Sequence, residues 1–226
     1  MACHKRYPDI FVSLQEHCLA FIFIMVKAYI HHYLNWRQGK VYKDGSLCFE
    51  YAAMHSVDIL SASYKALDIA YPKFYKMDLL SRLGFLATEW LNPEIDKNEP
   101  FDTGIIFSTH QGCLEVDKAF NHSRETFASP ALFVYTLPNI VLGEICIRNN
   151  IKGPQICLIE EGRSTGLLCE NALNLLNRGR ARNCIVGHID ATEKWLFADM
   201  AWVSDTANQG GVLLTPESLD SRFGQY

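Results

Sequence analysis

The residues best placed to do chemistry in this chain lie around position 162. Glu160 and Glu161 end an apolar run that predicts a strand over 155–160, and Gly162 follows just before a predicted helix over 164–178. A strand, tight turn and helix in this order expose the side chain at the turn, and the helix dipole stabilises an anion there by roughly 0.3 to 1 kcal/mol. Gly162 has no side chain, so the turn itself carries no nucleophile.

Neighbouring residues offer only partial substitutes for a nucleophile. Cys157 falls inside the predicted strand and Cys169 inside the predicted helix, so core packing is the favoured interpretation of both. The favoured interpretation of Glu160 and Glu161 is a structural role, as a helix cap or in an ion pair between subunits. The alternative, a decarboxylating role for these carboxylates, lacks a partner base in the sequence.

The eight cysteines and eight histidines do not form a recognisable ligand pattern. The cysteines include no Cys-x-x-Cys pair, which disfavours a disulfide framework and a zinc site. His31 and His32 are predicted to point to opposite faces of a strand, and His110 and His188 are predicted to be structural. No Ser-His-Asp arrangement, Gly-x-Ser-x-Gly motif or phosphate-binding glycine loop is visible. We therefore predict neither a metal nor a cofactor.

Composition indicates a single cytoplasmic domain. The chain has 226 residues, of which 49% are hydrophobic and 20% charged, with a formal net charge of −4. That is enough apolar material for a substantial core, and the charge offers no basic surface for nucleic acid. The most apolar run, 18–26, is too short to span a bilayer. Residues 1–24 are assigned to an N-terminal extension, and one alternative places a natural start at Met25.

The predicted elements alternate between strands and helices. Strands are predicted over 27–31, 103–109, 155–160 and 183–189, and helices over 72–91, 112–126, 138–150 and 164–178. Polar residues between 35 and 45 predict an irregular stretch, and 131–137 predicts a hydrophobic loop between Pro130 and Pro138. Alternation of this kind indicates an α/β fold with a central sheet.

An ordered set of motifs resembles the N-terminal half of the β-ketoacyl synthases. Aligned without gaps from Pro154 to Gly187, the chain matches the region around the family's nucleophile, and the family's cysteine falls on Gly162. Further matches are the run Thr103-Gly-Ile-Ile-Phe-Ser-Thr-His-Gln-Gly-Cys-Leu-Glu115, Pro138-Asn139, Gly143, Ile147-Arg148 and Gly153-Pro154. The resemblance covers residues 25–190, while the tail 191–226 does not match.

The resemblance implies a thiolase-like half-fold, a single α/β/α unit of the N-terminal ketosynthase type. In the family, a second half supplies two histidines and a lysine that activate the cysteine and drive decarboxylation. This sequence ends at Tyr226, before such residues could occur. The resemblance therefore implies no catalytic residue, with Gly162 at the degenerate nucleophile position.

The function that the resemblance implies is that of a noncatalytic, chain-length-factor-like subunit in fatty acid or polyketide-type biosynthesis. It resembles in particular the short ketosynthase-like proteins of aryl polyene, flexirubin and dialkylresorcinol pathways. Its expected partner is an active β-ketoacyl-ACP synthase or a second copy of itself, with acyl carrier protein as a further partner. Two alternatives remain: a degenerate acyl-binding homodimeric scaffold, and an enzyme with altered chemistry that uses Glu161 or Cys169.

The resemblance also implies where the subunit would contact a partner. The strand before Gly162 pairs across the dimer in the family, so the expected interface is Gln155, Ile156, Cys157, Leu158, Ile159, Glu160 and Glu161. The loop before the helix at Pro138 borders the family's acyl tunnel. Phe133 or Tyr135 is therefore the expected gate for the growing chain, and ordinary burial of this loop is the competing interpretation.

Overall fold

The computed structural model describes residues 26–224, which form one mixed sheet covered by helices on both faces. The strands are β1 (Tyr29–Arg37), β2 (Lys40–Lys43), β3 (Ser46–Glu50), β4 (Thr103–Thr109), β5 (Gln155–Ile159), β6 (Asn183–Ala191), β7 (Leu196–Ser204) and β8 (Val212–Leu213). The helices are α1 (Ser56–Ala66), a 3₁₀ helix (Pro72–Lys76), α2 (Leu79–Leu91), α3 (Leu114–Ser123), α4 (Pro130–Val134), α5 (Ile140–Asn149), α6 (Thr165–Asn177) and α7 (Pro216–Phe223).

The strand order places β5 at one edge of the sheet and β3 at the other. The order is β3-β2-β1-β7-β6-β4-β5, with the short β8 paired to β1. Strand β4 runs parallel to both β5 and β6, whereas β7 runs antiparallel to β6 and β1. Because helices cover both faces, every residue of β4 and β7 is buried, as is typical of sheets in α/β proteins.

Two hydrophobic cores lie on opposite faces of the sheet. The larger core joins α1, α2 and α5 to one face through residues such as Trp36, Phe85 and Phe107. The smaller core joins α6 and α7 to the other face, with Leu168 and Phe223 fully buried. The three layers are the single α/β/α unit that the sequence predicted.

The helix predicted over 72–91 is divided in two. A 3₁₀ helix covers Pro72–Lys76, and α2 begins only at Leu79. The side chain of Asp78 accepts hydrogen bonds from the backbone N–H groups of Leu80 and Ser81, and its own backbone is extended. This is N-cap geometry, which starts a new helix and interrupts the earlier turn.

The structure also differs from the sequence prediction in other connecting segments. The polar stretch predicted to be irregular continues β1 and forms the β2–β3 hairpin, whose turn uses positive φ at Asp44 and Gly45. The loop predicted over 131–137 contains α4, capped by the hydroxyl of Ser129. The hairpin forms because its turn adopts positive φ, although the polar pattern predicted an irregular stretch. Helix α4 forms because Ser129 caps it, although the hydrophobic pattern predicted a loop.

The sequence analysis predicted no elements beyond residue 190, yet β7 lies in the middle of the sheet between β6 and β1. Helix α7 closes the smaller core behind it. The predicted N-terminal extension, 1–24, lies outside the described residues. In the part of the chain from 26 to 224, no helix is long and apolar enough to cross a membrane.

Candidate functional site

The turn between β5 and α6 is open at Gly162. A Cβ built on this glycine would have no neighbouring atom within 4 Å, and its φ lies outside the left-handed region. The hydroxyl of Ser164 caps α6 by accepting a hydrogen bond from the N–H of Leu167 at 3.3 Å. The structure therefore keeps an accessible position ahead of a capped helix, and this chain leaves that position without a side chain.

The neighbouring loop after β4 holds this turn in place. The N–H of Glu160 donates to the carbonyl of Thr109 at 3.1 Å, and Nδ1 of His110 lies 3.0 Å from the carbonyl of Glu160. Asp190 fixes the same loop, because its Oδ1 accepts hydrogen bonds from the Thr109 hydroxyl at 2.7 Å and from the Gln111 N–H at 2.8 Å. Hydrogen bonds thus connect the turn after β5 to the ends of β4 and β6.

The prediction that the chain contains no Ser-His-Asp arrangement is wrong. Oγ of Ser108 lies 2.9 Å from Nδ1 of His188, and Nε2 of His188 lies 3.0 Å from Oδ2 of Asp190. Ser108 and His188 are 80 residues apart and meet only because β4 and β6 pair in parallel register. All three residues have 0% exposure, so the serine is closed to substrate and the arrangement serves the structure.

Asp190 is an ionised anchor in this arrangement. Its burial by itself raises the pKa, but hydrogen bonds from His188, from the N–H of Gln111 and from the Thr109 hydroxyl outweigh burial and hold the pKa below its usual range. Carboxylates that accept several hydrogen bonds are stabilised in the charged form. Asp190 therefore stabilises the loop after β4, and a role as a general base is disfavoured.

Arg163, the residue after Gly162, ties the turn to a buried anion that sequence analysis missed. Asp199 on β7 is fully buried and forms ion pairs with Arg163 and, at 2.8 Å, with Arg37. The amide of Asn35 donates to the same carboxylate at 2.7 Å. The signal that could have suggested this site is a single charged residue, Asp199, in the apolar run that forms β7.

Arg163 also binds the end of α7. Its Nη2 donates to the carboxylate of Asp220 at 3.0 Å and to the carbonyl of Gly224 at 2.6 Å. The carbonyl of Phe223 accepts from Nη2 of Arg37 at 2.7 Å. Two arginines therefore cap the carboxyl end of α7 and fasten it beside the turn, where cations are favourable.

The cysteines near the turn are poor nucleophiles. Cys169 is only 2% exposed, and burial raises its pKa to about 11. Burial also raises the pKa of Cys157. Deeper in the sheet, burial raises the pKa of Cys184 to about 12. Since the thiolate is the reactive form, these thiols are predominantly protonated and unreactive at neutral pH.

The two glutamates at the turn have different surroundings. Glu161 is exposed, whereas Oε1 of Glu160 is buried without a hydrogen-bond partner. Burial raises the pKa of Glu160. This direction is opposite to the one expected from a helix N-terminus, which lies farther away because α6 begins only at Thr165.

His31 and His32 lie beside different partners. Nε2 of His31 lies 2.7 Å from the hydroxyl of Ser204, and Nδ1 of His32 lies 2.8 Å from a carboxylate oxygen of Asp44. Among residues 26–224, no group of three or more histidine, cysteine, aspartate or glutamate side chains is placed to hold a metal ion.

An exposed apolar side chain ends the edge strand β5. Ile159 is 67% exposed, and a groove of about 410 Å³ beside it is lined by Pro138, Asn139, Leu142, Gln155, Cys157 and Ile159. An apolar groove beside a strand edge is a candidate surface for contact with another protein.

The two candidate gate residues differ in burial. Phe133 is 56% exposed, and its ring centroid lies 5.5 Å from that of Phe120. Tyr135 packs against the larger core, and its hydroxyl donates to Oε1 of Glu144 at 3.1 Å. Phe133 is therefore the more exposed of the two rings, and Tyr135 is the more closely packed.

Replacing Gly162 with cysteine tests the openness of the turn. The new thiol meets no atoms, so we expect the melting temperature to stay within about 2 °C of wild type. Because burial raises the pKa of Cys169, iodoacetamide should modify residue 162 at least about tenfold faster than residue 169 at pH 7.5. Peptide mass mapping measures both sites in one sample, and equal rates would contradict an open turn.

Replacing Glu160 with glutamine tests the buried carboxylate. A folded-state pKa above the unfolded value of about 4.3 means that stability is present at low pH and is lost as pH rises through the folded pKa. Glu160→Gln should therefore melt about 1 to 3 °C higher than wild type at pH 7, with no difference near pH 4. Glu161→Gln, at the exposed neighbour, should change neither value; a pH-independent effect of Glu160→Gln would refute the assignment.

Comparison with known proteins supports the fold. No protein-family model matches the sequence, and no curated protein matches it. Among solved structures, the ishigamide ketosynthase/chain length factor aligns with a TM-score of 0.58 and 18% identity over 79% of this chain and 62% of that chain. A ketosynthase in complex with its chain length factor from Xenorhabdus doucetiae aligns with a TM-score of 0.54 and 15% identity, over 80% of each chain.

A third structure, a type II polyketide synthase acyl-carrier protein in complex with its ketosynthase, aligns with a TM-score of 0.55 and 11% identity over 80% of this chain and 63% of that one. The chain thus spans less than two thirds of the ishigamide protein, the first of these structures. At these identities the similarity concerns the fold. The chain has the α/β fold of ketosynthases and chain length factors, which confirms the thiolase-like fold that the sequence resemblance implied.

Proposed function

We propose that the chain is a noncatalytic, chain-length-factor-like subunit that pairs with an active β-ketoacyl-ACP synthase in fatty acid or polyketide-type biosynthesis. The observation that carries the proposal is the turn after β5. Its open geometry is intact at Gly162, while the nucleophile is missing. A retained shape without its reactive atom fits a subunit whose task is to assemble and to shape a partner's site.

The surrounding chemistry supports the same role. Cys169 is buried and Cys157 half-buried, and burial raises the pKa of both thiols, so neither replaces the missing nucleophile. Cys169 faces the smaller core and Glu161 faces solvent, which disfavours the alternative of altered chemistry through either residue. The buried Ser108–His188–Asp190 arrangement is closed to substrate.

The edge strand β5 supports an interface. Among residues 26–224 it pairs only with β4, which leaves the backbone donors and acceptors of its other side available for pairing. Exposed Ile159 ends this strand, and the expected interface residues 155–161 all lie along it or just after it. In the proposal, β5 pairs antiparallel with the equivalent strand of the partner and joins the two sheets around a two-fold or pseudo-two-fold axis.

The structural relatives suggest which partners to test. One is a ketosynthase bound to its chain length factor, and another is a ketosynthase bound to an acyl carrier protein. For this chain we propose a ketosynthase as the partner, acyl carrier protein as a transient one, and the cytoplasm as the location. Residues 25–190 form the ketosynthase-like part in this proposal, and β7 and α7 complete its sheet and its smaller core. A homodimer is the alternative assembly.

Replacing Ile159 with lysine tests the interface at β5. Because the side chain is 67% exposed, the fold should remain intact while a charge is buried at the proposed contact. We expect the variant to lose the partner ketosynthase in co-purification, or to become monomeric in sedimentation if the assembly is a homodimer. Leu47→Lys is the matched control, since this residue is 50% exposed on β3 at the opposite edge. An unchanged Ile159→Lys assembly, or equal loss in both variants, would reject the interface.

Shortening the two aromatic residues separates a gate from ordinary packing. Phe133→Ala removes an exposed ring and should leave the melting temperature within about 2 °C of wild type, while the reconstituted partner complex makes longer products. Tyr135→Ala removes a core contact and the hydrogen bond to Glu144, so it should cost about 1 to 3 kcal/mol in unfolding free energy without lengthening the product. Unchanged product length in Phe133→Ala would remove the gate from the proposal.

A further inference from the structure

We propose that a polar cavity between β1 and α7 binds a small zwitterion of the free α-amino acid class, with Arg222 holding its carboxylate and Asp44 its ammonium group. The cavity has a volume of about 340 Å³ and is lined by Ile30, His31, Tyr33, Asp44, Gly210, Val212 and Arg222. These residues come from β1, the β2–β3 turn, the segment around β8, and α7. None of them belongs to β5 or to the turn at Gly162, so this inference is independent of the proposed function.

Arg222 supplies a cation whose hydrogen-bond donors are available. Among residues 26–224, its guanidinium makes no hydrogen bond or ion pair, and it lies over the ring of Tyr33, with Cζ 5.6 Å from the ring centroid. The carbonyl of Arg222 accepts a hydrogen bond from the amide of Asn35 at 3.1 Å, which fixes the backbone near the end of α7. A guanidinium held over an aromatic ring keeps its planar set of donors in place, and that set matches the two oxygens of a carboxylate.

Asp44 supplies the opposite charge from the β2–β3 turn. Its Oδ1 accepts a hydrogen bond from the N–H of Tyr33 at 2.9 Å, and its Oδ2 lies 2.8 Å from Nδ1 of His32. These two contacts fix the carboxylate in the cavity wall, while its side chain stays 39% exposed. Because a carboxylate has about four lone-pair sites, Asp44 can still accept hydrogen bonds from a bound ammonium group.

His31 adds a hydrogen-bond acceptor. The hydroxyl of Ser204 donates to the carbonyl of Thr206 at 3.0 Å, so it accepts from Nε2 of His31 at 2.7 Å. The ring proton is therefore on Nε2, and Nδ1 of the neutral ring has a free lone pair. Burial, followed by repulsion from His32, lowers the pKa of His31, which keeps the ring neutral at pH 7. Nδ1 lies beside Gly211, between two residues of the cavity wall, where an added Cβ would approach it to 3.3 Å.

The charges of the cavity select the class of ligand. A ligand with only a negative charge would bind Arg222 but be repelled by Asp44, and a ligand with only a positive charge would meet the reverse. A zwitterion satisfies both groups, and its ammonium group can also donate to Nδ1 of His31. Since a water molecule occupies about 30 Å³ of liquid, the cavity has room for a ligand of about ten non-hydrogen atoms. That is the size of a free amino acid.

Titration with three matched probes tests this selection by charge. L-alanine carries both charges, propionate lacks the ammonium group, and ethylammonium lacks the carboxylate. We expect saturable changes in the amide NMR shifts of Tyr33, Gly210 and Val212, and a dissociation constant for L-alanine at least about tenfold below that of either other probe. Propionate that binds as tightly as L-alanine would reassign the cavity to simple anions and overturn the proposal. L-alanine shifts that do not saturate would also overturn it.

Two substitutions test the two charges separately. Arg222→Gln should weaken L-alanine binding at least about tenfold. Asp44→Asn should weaken it by a similar factor, and it is the variant to use if Arg222→Gln folds poorly, because asparagine tolerates the φ of 51° at this turn and its amide oxygen can still accept from the N–H of Tyr33. Arg124→Gln and Asp58→Asn, at exposed positions outside the cavity, are the controls and should bind like wild type. Unchanged affinity in either folded cavity variant, or an equal loss in the controls, would refute the assignment.

Discussion

The buried carboxylate of Asp199 is the interaction on which the arrangement around the turn depends. It lies in the central strand β7 and pairs with Arg37 of β1 and with Arg163 of the turn. An unpaired charge at this depth would be strongly destabilising, so the two arginines and the carboxylate require one another. Because the same arginines hold the carboxyl end of α7, one buried charge fixes a strand, a turn and a helix together.

A second polar row lies on the same face of the sheet. Strand pairing places Ser108, His188 and Asp199 side by side, and Asp190 lies two residues beyond His188. Ser108, His188 and Asp190 satisfy their hydrogen bonds among themselves or with the loop after β4, while Asp199 is satisfied by Arg37, Arg163 and Asn35, as buried polar groups must be. Serine, histidine and aspartate are the residue types of a hydrolase triad, but the complete burial of Ser108, His188 and Asp190 gives them a structural role. Position in the fold, more than residue type, decides what such a group can do.

Apolar periodicity and turn residues, which are local signals, predicted the α/β class and the strands at 103–109 and 183–189, while the family resemblance indicated Gly162. The sequence did not predict β7, whose nine residues are all buried beneath helices, so that no alternation of polar and apolar residues marks the strand; its pairing with β1 joins distant parts of the chain. The Ser108–His188 and Arg163–Asp199 contacts were missed for the same reason: each depends on strand order and register, which no spacing along the chain encodes. The expected interface and gate remain predictions.

The open edge of β5 has a consequence for the amount of this protein that a cell can sustain. A strand edge that finds its partner only in another subunit leaves surplus copies with unpaired backbone groups and exposed apolar side chains. Such copies are the ones that chaperones and proteases remove first. In the proposed assembly, the supply of the partner would therefore set the abundance of this subunit, and the geometry of one strand would enforce the stoichiometry after synthesis.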